Sequence, residues 1–138
     1  MEKYIIDEIY ADGYERFAVV ESINTNKKFI VHVLEGDEYI EYGGVSQKRK
    51  VGDVIEGEIY IWSVMKDKKV DEDIAHEQLI SKSPHIKAVV QVAEVIDNFS
   101  AYVRTSILDN NVLVRFMHDV NYVKGDKIYI EGSLEMDV

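Results

Sequence analysis

An all-β chain, built as two small barrels joined by a short helix, is the fold class the sequence predicts. Three observations point to it. Val, Ile and Tyr are abundant and proline occurs once in 138 residues, a composition suited to strands. Several segments alternate apolar and polar residues with a period of two, as half-buried strands do. Asn, Asp and Gly clusters separate those segments. A single larger barrel or sandwich is the alternative arrangement of the same strands. The chain falls into a first half over residues 1–68, a helical linker over 69–85 and a second half over 86–138.

In chain order, the turn formers Asp12-Gly13 and Asn24-Thr25-Asn26 bracket the first apolar run, Phe17-Ala18-Val19-Val20. Lys28 to Leu34 follows, with Phe29, Val31 and Val33 on one face and Ile30, His32 and Leu34 on the other. Gly43-Gly44 marks a further turn. From Val54 to Val64, Ile55, Ile59 and Ile61 oppose Glu56, Glu58, Tyr60 and Trp62. Residues 71–80 differ: Ile74, Ala75, Gln78 and Leu79 stand at helical spacing behind the acidic Asp71-Glu72-Asp73. An acidic first turn suits the positive end of a helix dipole, and Pro84 would stop the helix by forcing the preceding residue out of helical backbone.

The second half opens with a long strand from Lys87 to Ile96 and a turn at Asp97-Asn98. Ala101 to Leu108 sets Ala101, Val103, Thr105 and Ile107 against Tyr102, Arg104, Ser106 and Leu108. Asp109-Asn110-Asn111 reads as a hairpin turn into Val112 to Met117, where Val112, Val114 and Phe116 oppose Leu113, Arg115 and Met117. Lys127 to Leu134 closes the chain with Ile128, Ile130 and Leu134 on one side. The halves share a phrase: Val51-Gly52-Asp53 leads into Val54 to Ile59 as Lys124-Gly125-Asp126 leads into Lys127 to Leu134. That likeness suggests an internal repeat; Gly-Asp before a strand as ordinary β punctuation is the other reading.

The order of elements from residue 86 onward carries a resemblance. A long first strand, a hairpin with a polar turn and the phrase Gly125-Asp126-Lys127-Ile128-Tyr129-Ile130-Glu131-Gly132-Ser133-Leu134 together resemble the OB-fold domains of the anticodon-binding type. The Val51-Gly52-Asp53 phrase is similar to the opening of small RNA-binding barrels, with Tyr60-Ile61-Trp62-Ser63 in place of their glycine–aromatic continuation. The resemblance implies two OB-like barrels and a ligand lying across the outer face of the second and third strands.

With Val103, Thr105, Val114, Phe116, Ile128 and Ile130 inward, the outward set is Tyr102, Arg104, Arg115, Lys127 and Tyr129. Interleaved arginine and tyrosine is a composition that stacks bases and meets phosphates; Phe99 and Tyr122 flank it. A solvated sheet face with cross-strand pairs is the plain alternative. Tyr60 and Trp62, the latter the only tryptophan, form a second aromatic pair suited to a protein partner, or to packing within the fold.

Charge sets limits. Lys and Arg number 16 against 26 Asp and Glu, a formal net charge of -10, which opposes general polyanion binding. Residues 1–85 hold 11 basic and 18 acidic side chains, and residues 86–138 hold 5 and 8. The expectation is a non-catalytic binding module for single-stranded nucleic acid. The alternative is an acidic interaction or inhibitor module for a basic protein.

No cysteine is present, which removes disulfides, thiolate metal sites and cysteine nucleophiles. No phosphate loop or nucleophile elbow occurs, so neither enzyme chemistry nor a cofactor is expected. The four histidines are scattered; only His76 has carboxylates, Glu72 and Asp73, at spacings that would share a helix face. No apolar run approaches the length needed to cross a bilayer of roughly 30 Å, and the start lacks a signal-peptide pattern. A soluble cytoplasmic protein without membrane contact is the corresponding expectation.

Overall fold

The computed structural model describes residues 2–138. Ten strands follow in order: β1 (Lys3–Asp12), β2 (Glu15–Ser22), β3 (Lys28–Leu34), β4 (Val54–Glu56), β5 (Glu58–Lys69), β6 (Ala75–Glu77), β7 (His85–Asp97), β8 (Ser100–Arg104), β9 (Val112–Phe116) and β10 (Lys127–Asp137). Among the described residues there is no helix, hence none long and apolar enough to cross a membrane.

The expected helical linker is therefore corrected. Within residues 71–80 the ordered piece is β6, which pairs antiparallel with β7 through Ala75↔Val89, His76↔Ala88 and Glu77↔Lys87. The physical reason lies in what the helical stripe could bury. Leu79 is 67% exposed, so no core receives that stripe, and an isolated helix of this length is marginal in water. The edge of β7 offers unpaired backbone groups instead.

The chain forms two compact units. Unit 1 takes the chain up to Glu58, with Ile80–Pro84 and Glu135–Val138; unit 2 takes Ile59–Leu79 and His85–Leu134. β5 and β10 thus each begin in one unit and continue in the other.

In unit 1 the strand order is β4-β1-β2-β3. β1 and β2 meet across a two-residue turn after Asp12, and β2 and β3 meet across the loop holding Asn24-Thr25-Asn26. Phe29, Val31 and Val33 are buried while Leu34 is 66% exposed, the alternation expected. The last residues of β10 join β3 in parallel, with Glu135 opposite His32.

That junction is ionic. His32 Nδ1 lies 3.0 Å from Glu135 Oε1 and Nε2 lies 3.2 Å from Glu15 Oε1. The hydrogen bond to Glu135 holds the imidazole above its ordinary value of 6.5, against the opposite pull of burial. Its stabilisation is fully present below pH 6.5 and is lost as pH rises through the higher folded value. Thermal midpoints measured from about pH 6 to pH 9 should therefore fall more steeply for the natural protein than for His32→Gln. Parallel curves would show that His32 does not carry this dependence.

In unit 2 the strands run in the order β10-β5-β9-β8-β7, and β10 also pairs with β7, closing a five-stranded barrel. β7, β8 and β9 are successive antiparallel neighbours, whereas β5 joins β9 in parallel. Val103, Val114, Phe116, Ile128 and Ile130 fill the interior at 2% exposure or less. β8 stops at Arg104 rather than running on to Leu108. The buried Thr105 hydroxyl accepts the N–H of Ile107 at 3.1 Å and turns the chain early.

The two Gly-Asp phrases adopt one geometry. Gly52 has φ 92° and Gly125 has φ 94°, a backbone that favours glycine. Asp53 Oδ2 accepts Lys50 N–H, and Asp126 Oδ2 accepts Val123 N–H, both at 3.0 Å. Gly52 N–H donates to the Ile6 carbonyl as Gly125 N–H donates to that of Val92. The Ile6 and Val92 N–H groups return the bond, to Asp53 and Asp126.

Candidate functional site

The outer face of the unit 2 barrel gathers most of the residues that the sequence singles out. Because β8, β9 and β5 are neighbours, their outward side chains form rows. Tyr102 stands opposite Leu113, and Leu113 opposite Tyr60. In the next row, Ser100 stands opposite Arg115. The inward partners, Ala101, Val103, Val112, Val114, Ile59 and Ile61, are buried, so the period of two puts the others on the outer face, where Ser100 is nonetheless covered at 6% exposure.

Arg115 lies at the centre. Its guanidinium carbon is 5.5 Å from the Trp62 ring centroid and 5.8 Å from that of Phe99, within the range of cation–π attraction. Nη1 donates to Ser100 Oγ at 3.4 Å. Tyr60 and Trp62 meet edge to face with centroids 5.6 Å apart, the preferred geometry for such rings. Trp62, Phe99 and Tyr102 remain 39%, 40% and 39% exposed. The tight turn after β7 holds Phe99, since its N–H donates to Asp97 Oδ1 at 2.8 Å. The chain bulges after Trp62, where Ser63 has φ 56° and the pairing with β9 shifts register. Beyond the bulge, Val64 turns inward and Met65 is exposed.

Four of the seven expected residues thus come together: Tyr102, Arg115, Tyr60 and Trp62. Arg104 and Lys127 sit at the margin. Arg104 Nη2 donates to Gln91 Oε1 at 2.7 Å, and Lys127 is the strand partner of Gln91. Tyr129 stands apart. Its hydroxyl donates to Glu131 Oε2 at 2.8 Å, and burial first, then Glu131, pushes the phenol up to about 12. Tyr122 is likewise engaged elsewhere, its hydroxyl donating to Asp67 Oδ1 at 2.6 Å and its pKa raised by burial and by Asp67. His118 Nε2 lies 2.7 Å from Asp67 Oδ2, so Asp67 ties the segment after β9 back to β5.

Sequence reasoning placed Tyr60 and Trp62 on a face separate from Arg115. The parallel pairing of β5 with β9 unites them, and no local pattern announces a pairing between segments so far apart in sequence. Half-buried Leu113 and Met117, which is 56% exposed, complete the apolar part of the face. Sequence alternation placed both beside Arg115, but nothing marked them for contact.

The arrangement offers aromatic rings and cations on one sheet face. Among the described residues no three His, Asp or Glu side chains converge to hold a metal ion. His76 lies on β6 rather than on a helix face shared with Glu72 and Asp73, with Nδ1 2.6 Å from Ser106 Oγ.

No protein-family model, curated protein or solved structure matches the chain.

Proposed function

We propose that the protein is a non-catalytic binding module that takes single-stranded nucleic acid across the unit 2 barrel. The observation that carries this reading is Arg115 set between Trp62 and Phe99, with Tyr60 and Tyr102 alongside. Bases stack on exposed rings whatever their sequence, while an arginine among those rings meets phosphate or the face of a base. Arg104 and Lys127 extend the cationic margin. The five-stranded closure supports an OB-like barrel, in which a ligand crosses this same outer face. The matching Gly-Asp turns support reading unit 1 as a second small barrel of related plan.

Charge distribution favours unit 2 as the binding half. It holds 8 basic and 11 acidic side chains, against 8 and 15 in unit 1. Stacking rather than phosphate attraction then supplies most of the affinity, and the salt dependence is shallow.

Fluorescence anisotropy of labelled mixed-sequence single-stranded DNA and RNA tests the reading, at low and near-physiological salt. Saturable binding is expected. Trp62→Ala and Arg115→Ala should each weaken it roughly tenfold or more, since a stacked base is worth about 1–3 kcal/mol. Tyr129→Phe should bind as the natural protein does. Absence of binding at low salt overturns the proposal, as does binding indifferent to Trp62 and Arg115.

A further inference from the structure

Unit 1 carries a separate feature, the long connection between β3 and β4. Residues 35–53 contain no strand of their own, yet their base is fixed. Arg16 on β2 has 0% exposure. Its Nη1 donates to the carbonyls of Gly13 and Glu15 at 2.9 Å each, and its Nη2 donates to the Glu38 carbonyl at 2.5 Å. Glu38 Oε1 lies 3.3 Å from the same Nη2. The Glu38 carboxylate also accepts Ser46 Oγ–H at 2.6 Å and Gln47 N–H at 2.9 Å. Gly13 and Ile40 exchange backbone bonds of 2.7 and 3.0 Å. An ordered connection of this length is uncommon without a function.

What the connection displays is aromatic. Tyr39 is 60% exposed, Tyr42 86% and Val45 77%. Tyr14, from the β1–β2 turn, is 51% exposed and meets Tyr39 edge to face at 5.2 Å. Tyr14 and Tyr39 hold each other in place, and rings so fixed are efficient anchors for a partner, because little side-chain freedom is lost on binding; Tyr42 adds an exposed ring. The charges around them are negative. Asp37, Glu38 and Glu15 already face Lys48, Arg16 and His32. Glu41 stands between Tyr39 and Tyr42 in sequence and Asp12 two residues before Tyr14, and unit 1 as a whole holds 15 acidic against 8 basic side chains. Two of the connection's cations are engaged: Arg49 Nε donates to Glu35 Oε2 at 3.1 Å, and Lys48 Nζ lies 3.3 Å from Asp37 Oδ2.

We propose that the Tyr14, Tyr39 and Tyr42 surface of unit 1 docks a Lys/Arg-rich segment of a partner protein. Cations of an extended basic segment would meet the ring faces within the net negative field of unit 1, with Glu41 and Asp12 as the nearby carboxylates in sequence. The same negative field repels nucleic acid and steers a basic partner inward. The inference is independent of the nucleic-acid reading, which concerns other residues on unit 2.

A fluorescein-labelled peptide of about twelve residues, with Arg and Lys at alternate positions among Gly and Ser, is the probe, titrated at low and near-physiological salt. Saturable binding is expected, and Tyr39→Ala/Tyr42→Ala should weaken it at least about tenfold. That double substitution leaves net charge unchanged, so generic attraction persists while ring contacts vanish. Both rings are exposed, and far-ultraviolet circular dichroism checks that the variant folds. Trp62→Ala should bind the peptide as the natural protein does. Equal affinity for the peptide with and without the two tyrosines overturns the proposal, as does no binding at low salt. Loss of oligonucleotide binding in the tyrosine variant also overturns it, by assigning the surface to nucleic acid.

Discussion

Replacing Arg16 with alanine should destabilise the protein by roughly 3 kcal/mol or more, the scale on which removing one partner of a buried ion pair acts. The guanidinium satisfies three backbone carbonyls and faces the Glu38 carboxylate from a site closed to water. Alanine would leave those acceptors buried or force water into the site, and each abandoned acceptor carries its own desolvation cost. Arg16→Lys should rescue little, because a single ammonium cannot reproduce the planar fork that spans Gly13, Glu15 and Glu38. Urea denaturation reads the loss. Limited proteolysis supplies a second, local readout: cleavage should first appear within residues 35–53, since the arginine pins that connection. If Arg16→Ala unfolds at the same midpoint and resists protease equally, the network is dispensable. Glu38 adds a pH signature. Its hydrogen bonds to Ser46 and Gln47, with Arg16 beside it, hold its carboxyl down to about 2 from an ordinary 4.5. Its stabilisation is present above pH 4.5 and is lost as pH falls toward 2.

Arg16 also shows where sequence reading succeeds and where it stops. β2 alternates with a period of two, and that period puts Arg16 on the inner face with Ala18, Val20 and Ser22. The phase is legible; its outcome is not, because burial of an arginine depends on acceptors from Glu38, twenty-two residues away. Alternation served well wherever both faces of a strand have ordinary surroundings. It placed Val103, Val114, Phe116, Ile128 and Ile130 in the core, and Tyr102 and Arg115 outside. It served badly at residues 71–80, where spacing alone predicts a helix although no apolar surface is available to receive it. At β5 it was right about faces as far as Trp62 and silent about partners. Strand pairing in parallel is a property of the assembled chain, so the junction of Trp62 with Arg115 had no local signature. The Gly-Asp turns are the reverse case, since short-range chemistry suffices to specify them and they form in both units with the same bonds.

Gly132→Ala should destabilise the barrel and, on the proposed nucleic-acid reading, weaken oligonucleotide binding as well. Gly132 lies on β10 opposite Ile86 of β7. A Cβ there would come within 2.8 Å of the Trp62 carbonyl oxygen, 2.9 Å of Val64 Cγ2 and 3.0 Å of Ile61 Cγ2. The side-chain methyls could give way, but the carbonyl belongs to the backbone of β5 at its bulge and cannot swing aside without moving the strand. The strain should cost about 1–3 kcal/mol, as overpacking in a closed interior generally does. Trp62 would be carried along with that backbone, disturbing its 5.5 Å approach to Arg115. Denaturation midpoints and oligonucleotide anisotropy therefore report one event from two sides. Gly36→Ala is the control, because a Cβ at Gly36 meets nothing within 4 Å, and it should leave both readouts unchanged. An unchanged midpoint in Gly132→Ala would show that β5 and β10 are less tightly apposed than their geometry requires. A lowered midpoint with full binding, measured where the variant is folded, would show that barrel closure at Gly132 does not position Trp62. Failure of both readouts together is what the close approach demands, since the carbonyl that blocks the new methyl is that of Trp62, the ring proposed to stack a base.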